Sequence, residues 1–556
     1  MGVVDFPISL PGGAKPRATT NRRVLLICTG IAALVALLLL GVVPVGGDAA
    51  AHLYRTLLVR HGVLVWDNLW FAGQYPLVSY SLFYYLFAAV LGNSLLGAVG
   101  VVLSAVLFAS IVLREWGSIA RWPSYAFAVL AGGQFYTGDY PYTLAFTTLL
   151  ATIWALQRRH TSLAVVCAAL TLGCNPLAFL FLCLTLLALF PLSSHPRSRS
   201  IVIAVTIVVL VGVEFGALWL FPSRGLYYPF GLWRFVLGVP VGVLGSMLTL
   251  RSKGGRPLAS LFVVWTIAVI AAFIIPSPFG HNLLRPAAIV FPLMLLAALL
   301  AGFKPYWLAI PAVLAAFAAN VVPYLTMVSG RADPAAKTSF WAPMLGYVAR
   351  HPAPNFRLEV VPEFNHWEAY VVPKAGYPMA RGWYQQLDSG DNPPLYRSRL
   401  TPTAYRAWLR SVGVRYVIAA NAAPASGAAP EANLLASGRS GLRKVFEAPS
   451  GDVYELPDAT PVLTGPAPAT LTSQTHRGIT GWVSRPGSYL LRVHYTPYWR
   501  LMRGSLCLRH GLNGMTQVEV RRPGYFSLRA LEKPSALLEI ILGSDRTGTA
   551  CPSNKR

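Results

Sequence analysis

The residues able to do chemistry are scarce in the first 330 positions, and three of them crowd one short segment. Asp48, His52 and Arg55 follow the first apolar run at spacings of four and three, which would place them on one face of a helix. The segment continues through His61-Gly62, Trp66-Asp67-Asn68-Leu69-Trp70 and Gly73-Gln74-Tyr75-Pro76. A carboxylate beside a histidine and an arginine, among aromatic rings, suits a sugar-phosphate lipid. The carboxylate can take a proton from an acceptor hydroxyl. The arginine can neutralise a leaving phosphate, and the rings can hold the sugar. The same spacing also fits a solvated interfacial helix whose Asp48 caps its own N-terminus.

Other candidates are more scattered. Asp139 lies in Thr137-Gly138-Asp139-Tyr140-Pro141-Tyr142 and could line an acceptor side. His281, Asn282 and Arg285 fall at the end of an apolar span, where they bind a lipid phosphate or anchor the interface. Further on, His366 with Glu368, and Arg381, either reach a membrane cavity or pair structurally inside the outer region. Glu214 sits inside a span and reads as a hydrogen-bonding group between helices. No glycine-rich phosphate loop, CxxC or HExxH is present, so a nucleotide-driven mechanism has no support and no nucleotide cofactor is expected. A divalent metal is compatible with the acids present.

These residues must be positioned by membrane helices. Of the 556 residues, 55% are hydrophobic and 12% charged, against about 25% charged in ordinary soluble domains. Only six acids (Asp5, Asp48, Asp67, Glu115, Asp139, Glu214) precede residue 331, and the other 15 follow. That shift divides the chain into a cytoplasmic tail (1–23), a transmembrane domain (24–329) and an outer region (330–556). About eleven apolar spans are expected, the first uncleaved and running from Val24 to Val45. Several are short or broken by Gly and Pro, as in helices that line cavities. Arg and Lys concentrate in alternate loops (Arg22-Arg23, Arg114 with Arg121, Arg158-Arg159, Arg197 with Arg199, Arg251-Lys253-Arg256, Lys304). The positive-inside rule then puts the N-terminus in the cytoplasm and the C-terminal region outside the plasma membrane. The formal net charge of +25 suits anionic lipid head groups or a polyprenyl phosphate, not nucleic acid.

Beyond the spans, the pattern from about 330 to 457 predicts a small α/β unit. Phe356–Val361 alternates like a strand, Thr401-Pro402 opens a helix to Val412, and Val414–Ile418 is a buried strand. Ala419–Ala432 reads as a loose loop. From 458 to 556, strands are expected at Gly481–Val483, Ser488–Tyr495, Thr516–Val520, Tyr525–Leu528 and Ala536–Leu542. They form a β-sandwich or jelly roll, a candidate carbohydrate-binding module. Its Tyr495, Tyr498 and Trp499 either stack on sugars or fill the core. Cys507 and Cys551 are a candidate disulfide. Cys28, Cys167, Cys174 and Cys183 are packing residues.

The pattern Asp48-x-x-x-His52-x-x-Arg55, then Gly62-x-x-x-Trp66-Asp67 and Gly73-x-Tyr75-Pro76 after a first span, resembles the GT-C superfamily of membrane glycosyltransferases. So do Thr137–Tyr142 at an outer turn and Asn175-Pro176 within an apolar hairpin, where related proteins often carry His-Pro. Asn365–Tyr370, Ala380–Tyr384 and Trp408–Val417 are similar to segments of actinobacterial cell-envelope members. Some of those are described as related to 6-pyruvoyl-tetrahydropterin synthase, yet the chain carries no pterin-enzyme metal cluster. The resemblance implies inverting transfer of a sugar from a polyprenyl-phosphate donor to an envelope glycan or glycolipid. It makes Asp48 the base, with Asp67 in reserve. Two other classes compete. A transporter or flippase of envelope lipids would show inverted repeats, and none is visible. A non-catalytic glycan-binding assembly protein would tolerate replacement of Asp48.

Overall fold

The computed structural model describes residues 18–41, 46–76, 80–192, 197–221, 228–285, 287–326, 333–397, 399–531 and 549–551. The chain forms two compact units. The first comprises 1–45, 80–219 and 226–331; the second comprises 46–79, 220–225 and 332–556. The segment bearing Asp48 and Asp67 therefore groups with the C-terminal half, across the division expected at 330.

The first unit is helical. Among the described residues, five helical stretches are long and apolar enough to cross a membrane: Asn21–Leu40, Asn93–Tyr136, Ser198–Leu220, Leu232–Leu250 and Arg256–Ile274. Shorter apolar helices lie at Thr161–Cys174, Pro176–Leu192, Ile289–Leu300 and Tyr306–Val321. Asn175 caps one of them, its Oδ1 accepting from the Ala178 amide at 3.1 Å, with Pro176 at the first helical position. The Arg197–Leu220 helix carries Glu214 and is hardly packed against other residues, as suits a lipid-facing span.

The second unit has two parts. In the first, strands β1 (Arg357–Val360), β2 (Val414–Ala420), β3 (Arg443–Ala448) and β4 (Gly451–Glu455) form a sheet in the order β1-β2-β4-β3. β1 and β2 are parallel and the other pairs antiparallel. The Pro402–Val412 helix leads into β2, capped by Thr401 and closed by Gly413, whose φ of 75° favours glycine. Tyr405, Leu409, Val417 and Leu435 fill the core between the sheet and its helices. Ala419–Ala432 differs from the expected loose loop. β2 runs through Ala420, and a helix occupies Ala429–Ala436, where Leu434 and Leu435 supply the burial the alanines lack.

The second part is a sandwich whose described residues form eight strands: β5 (Leu463–Thr464), β6 (Ala469–Gln474), β7 (Gly478–Val483), β8 (Gly487–His494), β9 (Trp499–Arg503), β10 (Leu506–His510), β11 (Met515–Val520) and β12 (Gly524–Ala530). Antiparallel sheets β10-β11-β8-β5 and β6-β7-β12-β9 share one apolar core. The strand expected at Ala536–Leu542 lies outside the described residues. Cys507 on β10 is disulfide-bonded to Cys551, and Leu508 bridges Ala550 beside it. Tyr498 and Trp499 are buried, so they are core residues and offer no sugar platform. Tyr495 is half-buried against the same core.

Candidate active site

The Ala49–Arg60 helix begins directly after Asp48 and buries most of its length. Asp48 stands at the N-cap position, but its side chain makes no capping hydrogen bond. One turn on, His52 and Arg55 are both buried. The Arg55 guanidinium lies 5.6 Å from the Trp70 ring centre and 5.8 Å from that of Tyr384. Both rings lie within cation–π range of the guanidinium, a contact worth about 2 kcal/mol when desolvated. Trp70 is fixed in turn. Its Nε1 donates to the Ala369 carbonyl at 3.1 Å, and its ring packs so closely on Gly382 that a Cβ there would clash.

The segment of 46–79 after this helix is interleaved with both parts of its unit. Met379 donates to the Leu69 carbonyl at 2.8 Å, and His494 donates to that of Ala72 at 2.8 Å. Trp66 enters the sandwich core, 6.3 Å from Trp499, with its Nε1 donating to Asn68 at 2.7 Å. Asp67 is fully engaged. It accepts from Tyr54 Oη at 2.9 Å and from the Leu69 amide at 3.2 Å, and pairs with His476 Nδ1 at 2.9 Å. His476 tops the β6–β7 hairpin, whose Thr475 and His476 carbonyls accept from Asn68. Burial, with the Asp67 charge adding to it, pushes the Tyr54 hydroxyl well above its ordinary range. Asp67 thus ties Tyr54, the Leu69 amide and His476 together. His476 had no sequence signal, because its partner lies on a distant part of the chain.

His366 lies close enough to Asp48 to feel its charge. Burial lowers the imidazole to about 3, against the opposing pull of Asp388 and Asp48. The ring is therefore neutral and stacks on Trp383 at 3.4 Å between centroids. Its Nδ1 is 3.2 Å from Glu368 Oε1. Glu368 and Glu363 are both raised far above the carboxylate range, chiefly by burial. Arg381 is different. Its guanidinium is buried against Glu359, Glu431 and Asp388. These ion pairs are the structural pairing inside the outer region that the sequence left open for Arg381.

In the helical unit, Asp139 and Arg285, read separately in the sequence, form an ion pair. Tyr80 Oη donates to Asp139 at 3.1 Å, and Asn282 Oδ1 accepts from Arg285 Nε at 3.0 Å. Burial lowers His281 to about 4. Its Nδ1 lies 2.9 Å from the Pro229 carbonyl and its ring 4.4 Å from Tyr228. The same unit encloses a cavity of about 250 Å³ bounded by Phe108, Phe146, Leu150 and Trp265, with Glu115 and Gln157 in its wall.

These features define a class: a polytopic membrane protein with a mixed-sheet and β-sandwich unit that carries a buried cationic–aromatic site. No family profile and no curated protein matches the chain. Among solved structures it is similar to ArnT from Cupriavidus metallidurans bound to undecaprenyl phosphate. The identity is 11%, covering 80% of this chain and 99% of that one, with a TM-score of 0.40. The apo state of ArnT aligns at 12% identity over 79% and 98% of the two chains, with a TM-score of 0.39. A likeness of this degree assigns neither activity nor substrate.

Proposed function

We propose that the protein is a membrane glycosyltransferase. It moves a sugar from a polyprenyl-phosphate donor to a cell-envelope glycan or glycolipid on the outer face of the plasma membrane. The observation that carries this reading is the Ala49–Arg60 helix, with Asp48 at its start and Arg55 clasped by Trp70 and Tyr384 on the same face. In the proposed reaction the Asp48 carboxylate takes the proton of an acceptor hydroxyl. The freed oxygen attacks the anomeric carbon from the side opposite the phosphate. The bond from that carbon to the phosphate oxygen breaks, and its electron pair leaves with the polyprenyl phosphate. Arg55 neutralises the charge that develops there. The configuration inverts. His52 and neutral His366, stacked on Trp383, line the sugar side. Asp139, Arg285 and His281 belong to the helical unit, whose cavity is of a size and polarity for hydrocarbon. The sandwich would hold the growing glycan. The reading is tested by sugar transfer from a polyprenyl-phosphate donor by purified Asp48→Asn protein that retains its fold. Loss of transfer is expected; transfer at the wild-type rate sinks Asp48 as the base.

A further inference from the structure

Tyr498 and Trp499 are buried and Tyr495 is half-buried, but another part of the same fold presents two exposed rings. In the sheet β6-β7-β12-β9, alternate side chains point inward: Leu471, Ile479, Val483, Phe526 and Leu528 all lie in the shared core. The other face points outward. There Trp482 and Tyr525 are directly opposed across β7 and β12, and they stay 44% and 42% exposed. Directly opposed residues have Cβ atoms about 5 Å apart, so both aromatic side chains leave the same face of the sheet from neighbouring positions. Thr470 pairs with Trp482 from β6. Arg503 on β9 lies 5.5 Å from the Tyr525 ring centre. The next rung carries hydroxyls: Thr480 pairs with Ser527, and Thr472 and Thr480 share a hydrogen bond of 2.8 Å. Arg529, paired with Arg500, follows.

Charge selects the partner. The four strands of this sheet contain no acid, and the whole stretch 459–530 holds nine arginines and no lysine against a single glutamate, Glu519. Glu519 belongs to β11, in the other sheet. A flat face with two exposed rings, a row of hydroxyls and arginines at its edge matches a polymer with apolar sugar faces and regularly spaced negative charge. Aromatic rings cover the C–H faces of pyranose or furanose rings, and arginine forks bind carboxylate or phosphate. We propose that the outer face of β6-β7-β12-β9 binds an anionic glycan, a saccharide chain bearing carboxylates or phosphodiesters, through Trp482, Tyr525, Arg503 and Arg529. The inference takes from the proposed function only that a glycan is the acceptor, and its test reads binding, not transfer.

The experiment uses the full chain in nanodiscs of neutral phospholipid. Three probes are titrated: polygalacturonate, its methyl ester (the same sugar without charge), and vesicles containing phosphatidylglycerol. Polygalacturonate should bind about tenfold or more tightly than the methyl ester, with an advantage that shrinks as salt screens the arginines. The Trp482→Ala/Tyr525→Ala pair should weaken both polysaccharides by about tenfold, as loss of desolvated ring contacts predicts. Arg503→Gln/Arg529→Gln should remove only the preference for the charged polymer. Both pairs change exposed side chains, so unaltered thermal unfolding is the control for fold. Polysaccharide binding indifferent to the aromatic pair overturns the proposal. So does equal binding of the two polysaccharides, or binding of the anionic vesicles alone through the same residues. Failure of the transfer reading shows elsewhere, as retained transfer in Asp48→Asn.

Discussion

The Ala49–Arg60 helix serves two acid-centred constellations in opposite ways. Through Tyr54 it reaches Asp67, whose carboxylate is closed off by a tyrosine, a histidine and a backbone amide. At its start, Asp48 makes no cap bond, and the next polar groups on its face are His52 and the aromatic-clasped Arg55. The residue types are nearly the same: an acid, a histidine and aromatic rings. The difference is in what the acid is used for. Asp67 ties the segment to the sandwich hairpin, and that tie sets the position of Trp70, which packs on Tyr54 at 4.5 Å between centroids. A fully satisfied carboxylate rigidifies its surroundings. A carboxylate on one helix face with a histidine and an arginine can act on a hydroxyl.

The sharpest way to break this comparison is at Asp48. Asp48→Asn removes the proposed base, and transfer should fall about 100- to 10,000-fold, the usual weight of a positioned general base. Its thermal unfolding is followed alongside, so that loss of the base is told apart from loss of fold. Arg55→Lys comes next. Lysine keeps the charge but loses the planar cation held between two rings. About 100-fold slower transfer is expected, with acceptor KM little changed. A variant as active as wild type would show that Arg55 is only a packing group.

Asp67 should behave in the reverse manner. Asp67→Asn and His476→Ala each leave a buried partner poorly matched, and each should lower unfolding stability by about 2 kcal/mol. Transfer should drop less than tenfold, through the displaced Trp70. Because the two residues meet directly, the double variant should cost clearly less than the sum of the singles. Additive losses would mean that the 2.9 Å contact does not couple them.

Local signals carried much of the second unit. Thr401-Pro402 marks a cap with a real hydrogen bond to Ala404, and the alternation at Phe356–Val361 is strand β1. What stayed hidden depends on partners far apart in the chain. The Trp66-Asp67 pair looks like part of a catalytic loop, yet Trp66 completes the core of strands that follow residue 460. Asp139 and Arg285 read as two separate sites and are one ion pair. The hairpin β3–β4 was missed because its charged outward residues, such as Arg443 and Lys444, mask the short apolar pattern. The outward Trp482 was visible as a strand residue, but not as half of a pair with Tyr525.

The smallest effect concerns the groups beside Asp48. Burial raises Glu363 and Glu368 well above the ordinary carboxylate range. The unfolded chain ionises near about 4.3. Their contribution is therefore full below that pH and is lost as pH rises toward their folded values. His366 works in the other direction. Its folded value of about 3 lies below the unfolded one of about 6.5, so its contribution is present above about 6.5 and fades as pH falls toward 3. Together they place the stability maximum of this region in mildly acidic solution. Glu368→Gln should flatten the alkaline limb, so that the fall in Tm between about pH 6 and pH 8.5 shrinks by a few degrees. The acid limb should not move, since His366 remains. An unchanged alkaline limb would mean that Glu368 is already ionised at neutral pH, and that its contact with His366 Nδ1 carries a charge.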